Sequence, residues 1–144
     1  MELSSSAFAS GETIPARHTC DGADVSPALA IEDMPQGIVR LALIMDDPDA
    51  PRGTWDHWVA YDIPVTATVP EGVRSLGTAG RNSWQRTGYG GPCPPSGVHR
   101  YYFRVYALDA PLGLGEGAGK RQVLEAMKGH ILAEATLMGR YSRR

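Results

Sequence analysis

LIMDDPDAPRGTWDHWV, residues 43–59, leaves a buried segment, crosses an acidic loop set with two prolines, and enters a second segment through a histidine. Its first residues belong to IVRLALIMD at 38–46, an almost continuously apolar run rich in Ile, Val and Leu. Such a run predicts a strand covered on both faces. At the other end HWVAYDIP, 57–64, alternates: His57, Val59, Tyr61 and Ile63 fall on one face, Trp58, Ala60 and Asp62 on the other. Strand, rigid acidic loop, strand is therefore the unit from which the fold grows.

Outward from that unit, RYYFRVYALD at 100–109 predicts a third strand, with Tyr101, Phe103, Val105 and Ala107 opposed to Arg100, Tyr102, Arg104 and Tyr106. Short strands are expected near 6–9 and 28–32. Between 65 and 98 glycine and proline dominate, and GYGGPCPPSGV can hold neither a central strand nor a helix. In GAGKRQVLEAMKGHI, Val123, Leu124, Met127 and Ile131 recur at helical spacing, which predicts one short helix near 119–130. ILAEATLMGRYSR fits both a strand and a helical continuation. Gly129, a poor helix residue at the point where the two part, favours a helix followed by a strand.

The 144 residues suit a single domain spanning 1–144. Formal charge is −2, with 14 basic against 16 acidic residues, and the arginines are scattered rather than massed. That distribution argues against a nucleic-acid partner. MELSSSAFASGE lacks a basic start and an apolar core, and no apolar run reaches membrane-spanning length. A soluble, cytoplasmic protein without stable membrane insertion is the expectation. Two cysteines, Cys20 and Cys93, lack CxxC spacing, so in a reducing compartment they are expected as free thiols.

His18 in an N-terminal loop and His130 at the end of the helix read as structural. His57 and His99 each open a strand straight after an irregular loop, where sites usually form. Asp46, Asp47, Asp49 and Asp56 admit three uses. As turn chemistry, Asp–Pro and Asp–Ala–Pro simply shape a loop. As metal ligands the residue types are suitable, but no ligating motif is present. As a pocket, one carboxylate orients a histidine through one ring nitrogen and leaves the other free for a ligand. The last use accounts best for the histidines. No G-x-S-x-G elbow exists, and Cys93 with His99 is the only pair resembling a nucleophile with its base.

DPDAP at 47–51, HW at 57–58 and GYGGPCPPSGVHRYYF at 88–103 together resemble the phosphatidylethanolamine-binding protein family, also called Raf kinase inhibitor-like, in its short prokaryotic form. IPARHTCDGADVSPAL at 14–29 and KGHILAEATLMGRYSR at 128–143 are similar to family segments as well. The resemblance implies a mainly β-fold of two packed antiparallel sheets with one or two short helices, and a strand over 131–142. It implies a small pocket for phosphate-like anions. Carried over by motif, the ligand-binding residues are Asp47, Asp49, Trp55, His57, Pro94, Pro95, His99 and Tyr101, with Arg100 in the HRY run; no catalytic residue, metal or cofactor is implied. The family's cis bond near this loop points to Ala50–Pro51. Asp56 departs from the pattern, as an acid expected beside the pocket that would repel a multiply charged phosphate. Ala30 and Ile31, where relatives carry an aromatic, predict a lighter core. The chain stops at Arg144 without the C-terminal helix of eukaryotic members, so their kinase inhibition and lipid specificity transfer poorly.

The function expected is that of a non-catalytic binding protein for a small anion or phospholipid head group, with regulation of a kinase or other protein partner and a homodimer as further expectations. Protonated histidines should strengthen binding as pH falls toward about 6. The alternative is a hydrolase using Cys93 or the Asp/His cluster.

Overall fold

The computed structural model describes residues 1–143. Eight strands and one α-helix are present among them: β1 (Glu2–Ser4), β2 (Leu29–Glu32), β3 (Arg40–Asp47), β4 (Trp55–Pro64), β5 (Thr68–Val69), β6 (Thr78–Ala79), β7 (Val98–Leu108), α1 (Lys120–Met127) and β8 (Ile131–Ser142). They form a three-stranded sheet, β1-β2-β5, and a five-stranded sheet, β6-β4-β3-β7-β8, in which every pairing is antiparallel.

β3 lies at the centre of the larger sheet and is buried from Leu41 to Asp47. Its continuous apolar run follows from cover on both sides. Leu41, Leu43 and Met45 face the core shared with Leu3, Leu29, Ile31 and Val69 of the smaller sheet. Ala42 and Ile44 face a second core closed by Val123 and Met127 of α1. β7 alternates as its sequence predicts, with Tyr101, Phe103, Val105 and Ala107 toward the smaller sheet. On its other face Arg104 lies 4.8 Å over the Tyr102 ring, a cation–π contact.

The helix ends at Met127, and Gly129 adopts φ +81° before β8 begins. Only a residue without a Cβ takes that conformation cheaply, so the glycine terminates the helix and frees 131–142 to pair with β7 along its whole length. Of the four residues at helical spacing, Val123 and Met127 are buried while Leu124 and Ile131 are exposed.

Three further expectations are corrected. Residues 6–9 form no strand: the N-terminal strand is Glu2–Ser4, and Phe8 instead plugs the core 6.0 Å from the Phe103 ring. Within 65–98, read as loop throughout, the two-residue strands β5 and β6 find partners. Ala50–Pro51 is trans, as no cis bond occurs among the described residues, in keeping with the ordinary preference of X–Pro bonds. Ile31 itself is buried in the core.

The strict alternation expected for β4 also fails, at two bulges. Leu41 pairs with Ile63 but Leu43 with Ala60, so β4 carries an extra residue. Asp62 takes it up at φ +49°, its carboxylate accepting the Leu112 and Gly113 N–H groups at 2.6 and 2.9 Å. Ile63 thereby joins Trp58 and Ala60 in the core toward the smaller sheet. At the second bulge Met45 pairs with Trp58 and Asp46 with Asp56, which leaves His57 as the additional residue.

Cys20 and Cys93 are joined in a disulfide, against the expectation of free thiols. Their Cα atoms lie 5.4 Å apart across a sequence separation of 73, a proximity the fold alone creates.

Candidate functional site

The bulge at His57 is what assembles the site. In a regular strand His57 and Trp58 would point to opposite faces. The extra residue turns His57 to the side of Met45, Asp47 and Tyr101, where its ring stands edge-on to Tyr101 at 5.2 Å. β7 contributes His99 and Tyr101 from alternate positions, and their rings are near parallel at 6.4 Å. Tyr101 thus lies between two histidines at the carboxyl end of β3.

A cavity of about 300 Å³ opens there, lined by Asp47, Trp55, His57, His99 and Tyr101 together with Ala50, Pro51, Trp84, Cys93, Pro94 and Pro95. Seven of the eight carried-over residues therefore meet in one place. Asp49 does not line it. Its carboxylate turns outward to Arg100, accepting from Nη2 at 2.8 Å, from Nε at 2.9 Å and from the Arg100 backbone N–H at 2.9 Å. This contact ties the acidic loop to the start of β7. Arg100 beside it lowers the Asp49 pKa to about 2.

Asp47 shapes the loop and orients a histidine at once. One oxygen accepts the Asp49 N–H at 2.7 Å, the turn that Asp–Pro–Asp favours. The other accepts from His99 Nδ1 at 2.6 Å, in a buried pair. A carboxylate without a proton only accepts, so Nδ1 carries the hydrogen and Nε2 is the ring atom left for the cavity. His57 repeats this arrangement with a backbone partner: Nδ1 donates to the Gly90 carbonyl at 2.7 Å while the His57 carbonyl accepts the Gly90 N–H at 3.0 Å. Burial lowers the His57 pKa below 6.5, outweighing the Gly90 carbonyl and the Asp47 and Asp46 charges that raise it. The ring is neutral at pH 7.

The Tyr101 hydroxyl is fully buried and has no hydrogen-bond partner of proper geometry among the described residues. Burial first, then the neighbouring Asp47 charge, raises its pKa. It keeps its proton and remains a donor.

In the Gly-rich loop the Gly90 and Gly91 amides are turned to protein partners. Gly90 N–H is bonded to His57, and Gly91 N–H to Asp24 Oδ1 at 2.9 Å. A Cβ at Gly90 would run into the Trp84 ring, and one at Gly91 into the His18 carbonyl. Both glycines are required by close approach. Tyr89 donates to the His18 carbonyl at 2.7 Å, and the disulfide fastens Cys93 to the same N-terminal loop.

Asp56 lies outside the cavity. It pairs with Asp46 across β3 and β4, on the face turned toward α1, and its carboxylate is 3.4 Å from Lys120 Nζ. Asp46, buried, accepts from Lys120 at 2.7 Å and from Arg104 at 2.9 Å. The expected repulsion of phosphate by Asp56 therefore has no geometric basis. His18 Nδ1 donates to the Val25 carbonyl at 2.9 Å, and His130 pairs with Asp109 at 2.8 Å. Trp84, which sequence reasoning missed, packs edge-on against His57 at 4.9 Å and against Trp55 at 5.6 Å. Its one sequence signal was a large aromatic in an otherwise polar loop, NSWQRT. Among the described residues no three His, Cys, Asp or Glu side chains converge as a metal-ligand set.

Comparisons with known proteins agree with this architecture. The family model for phosphatidylethanolamine-binding protein matches residues 4–142. A UPF0098 protein of Methanothermobacter thermautotrophicus is 50% identical over 99% of both chains, and one of Pyrococcus horikoshii is 45% identical over 97% of this chain and 76% of its own. Among solved structures, a putative phosphatidylethanolamine-binding protein homologue from Chlamydia trachomatis superposes with TM-score 0.96 at 43% identity, covering 99% of this chain and 97% of that one. YbcL of E. coli, described as a new member of the mammalian family, superposes with TM-score 0.92 at 27% identity over 99% and 98% of the two chains. With its sheets, its motifs and its relatives in agreement, the chain belongs to the phosphatidylethanolamine-binding protein family.

Proposed function

We propose that this chain is a binding protein whose cavity takes a small anionic group, phosphate-like or carboxylate, without catalysing a reaction on it. The observation that carries this reading is an apolar-walled cavity on which Asp47 and the rings of His57 and His99 converge, each ring held through Nδ1. Membership of a family named for binding supports a binding role. The cysteine form of the hydrolase alternative loses its nucleophile, because the Cys93 sulfur is bonded to Cys20 and cannot attack while the bridge stands.

The test is calorimetric titration of the wild type and His57→Ala with phosphate, acetate and phosphoethanolamine. Binding to the wild type with loss of about tenfold or more in the variant is expected. Equal affinity in both proteins would sink the assignment.

A further inference from the structure

Cys93 lines the cavity and is at the same time covalently tied to the N-terminal loop through Cys20. Up to that point the wall is well anchored. Tyr89 donates to the His18 carbonyl at 2.7 Å, Gly91 N–H to Asp24 Oδ1 at 2.9 Å, and Cys20 N–H to the Pro92 carbonyl at 3.1 Å. Beyond Cys93 the polar anchors stop. Pro94 and Pro95 have no N–H to donate, and among the described residues neither they nor Ser96 is hydrogen-bonded before Val98 opens β7. The two prolines that face the cavity therefore hang from Cys93. The Cys93 backbone in turn lies beside the buried Tyr101 ring oxygen, between the two histidines, so its position is felt at the floor of the site. Both cysteines are exposed, and neither belongs to either hydrophobic core. The bridge is open to attack by a thiol, and its loss leaves both cores packed.

We propose that the Cys20–Cys93 bridge is a redox switch on this cavity, a regulation that rests on the anion-pocket reading above. Oxidised, the bridge holds the Pro94 and Pro95 wall against the histidines and the cavity binds its anion. Reduced, it releases that wall, and binding weakens. The chemistry is ordinary exchange with a dithiol: the reductant gives two electrons and two protons, the Sγ–Sγ bond breaks, Cys20 and Cys93 become thiols, and the reductant closes into its own disulfide. With the bridge open, the last hydrogen-bonded anchor is Pro92, and the chain from Cys93 to Gly97 spans freely to β7. Binding and reduction are then linked. Whatever factor the bridge contributes to affinity, the bound anion returns as resistance of the bridge to reduction.

The experiment is calorimetry with inorganic phosphate on the full chain in three forms: oxidised, reduced with dithiothreitol, and the double variant Cys20→Ser with Cys93→Ser, with the resonances of core Trp58 showing that each form is folded. The oxidised protein should bind at least about tenfold more tightly than the other two. A second measurement needs no variant. The wild type is equilibrated in a dithiothreitol redox buffer with and without saturating phosphate, and the same tenfold places the bridge about 30 mV lower in potential when phosphate is bound. Equal or greater affinity in the reduced protein, or a potential unmoved by phosphate that binds, refutes the switch while the anion pocket stands. If the oxidised protein binds no phosphate and its His57 and His99 resonances stay unmoved, the switch and the pocket reading fall together.

Discussion

His57 concentrates the account at the level of single residues. Its burial lowers the pKa, so the native state disfavours the imidazolium that the unfolded chain accepts near 6.5. Between the folded and unfolded pKa values the unfolded chain binds more protons. The stabilising contribution is therefore full above 6.5 and is lost as pH falls through the folded value. An NMR titration of the free protein should place the His57 midpoint below 6.5; a midpoint at or above it contradicts the burial described. The same depression moves any anion binding through the imidazolium to lower pH than sequence reasoning expected. His57 and His99 stand out in the sequence because each opens a predicted strand beside an irregular loop, whereas Tyr101 is singled out only by the family resemblance. The places of Asp49 and Asp56 were not legible, because Asp49 turns out to Arg100 and the bulge at His57 sets Asp56 opposite Asp46 on the face toward α1.

Among the elements, β3 and β7 were readable from their patterns alone, since full burial and strict alternation follow directly from their places in the sheet. β4 was not, for periodicity assumes a regular ladder and β4 has two bulges. Nor could any periodicity show what holds α1 to the sheet. There Lys120 reaches Asp46 and Asp56 while Val123 and Met127 enter the core. Burial alone would lower the Lys120 pKa, but the bond to Asp46 and the two carboxylate charges raise it. Asp46→Ala strands Arg104 and leaves Lys120 only the Asp56 carboxylate at 3.4 Å, and should destabilise the fold by about 2–3 kcal/mol in denaturant unfolding. Wild-type stability in that variant would mean the ion pairs do not anchor the helix.

For the whole molecule, β3, β4 and β7 of the larger sheet and the loops between them supply the walls of the cavity, and the disulfide binds the N-terminal loop to the Pro92–Pro95 wall. Closing a loop of this length stabilises by about 2–4 kcal/mol. Reduction, or Cys20→Ser with Cys93→Ser, should lower the melting temperature by roughly 5–15 °C. An unchanged melting temperature would show that the hydrogen bonds of the wall suffice without it. The bridge also withdraws the cysteine-based reason for a reducing compartment, since persistent disulfides belong to oxidising compartments or to the intracellular proteins of hyperthermophiles. Among the described residues no helix is long and apolar enough to cross a membrane. Sequence could not reveal the bridge, because spacing along the chain carries no information about a contact made only when the N-terminal loop packs on the Gly-rich one. The central claim, a small-anion site between His57 and His99, is tested most directly by NMR mapping of a phosphate titration. The indole resonances of Trp55 and Trp84 and the ring resonances of His57 and His99 should shift saturably, while those of core Trp58 and distant His130 stay fixed. Absence of saturable shifts at the cavity, or shifts confined elsewhere, would contradict it.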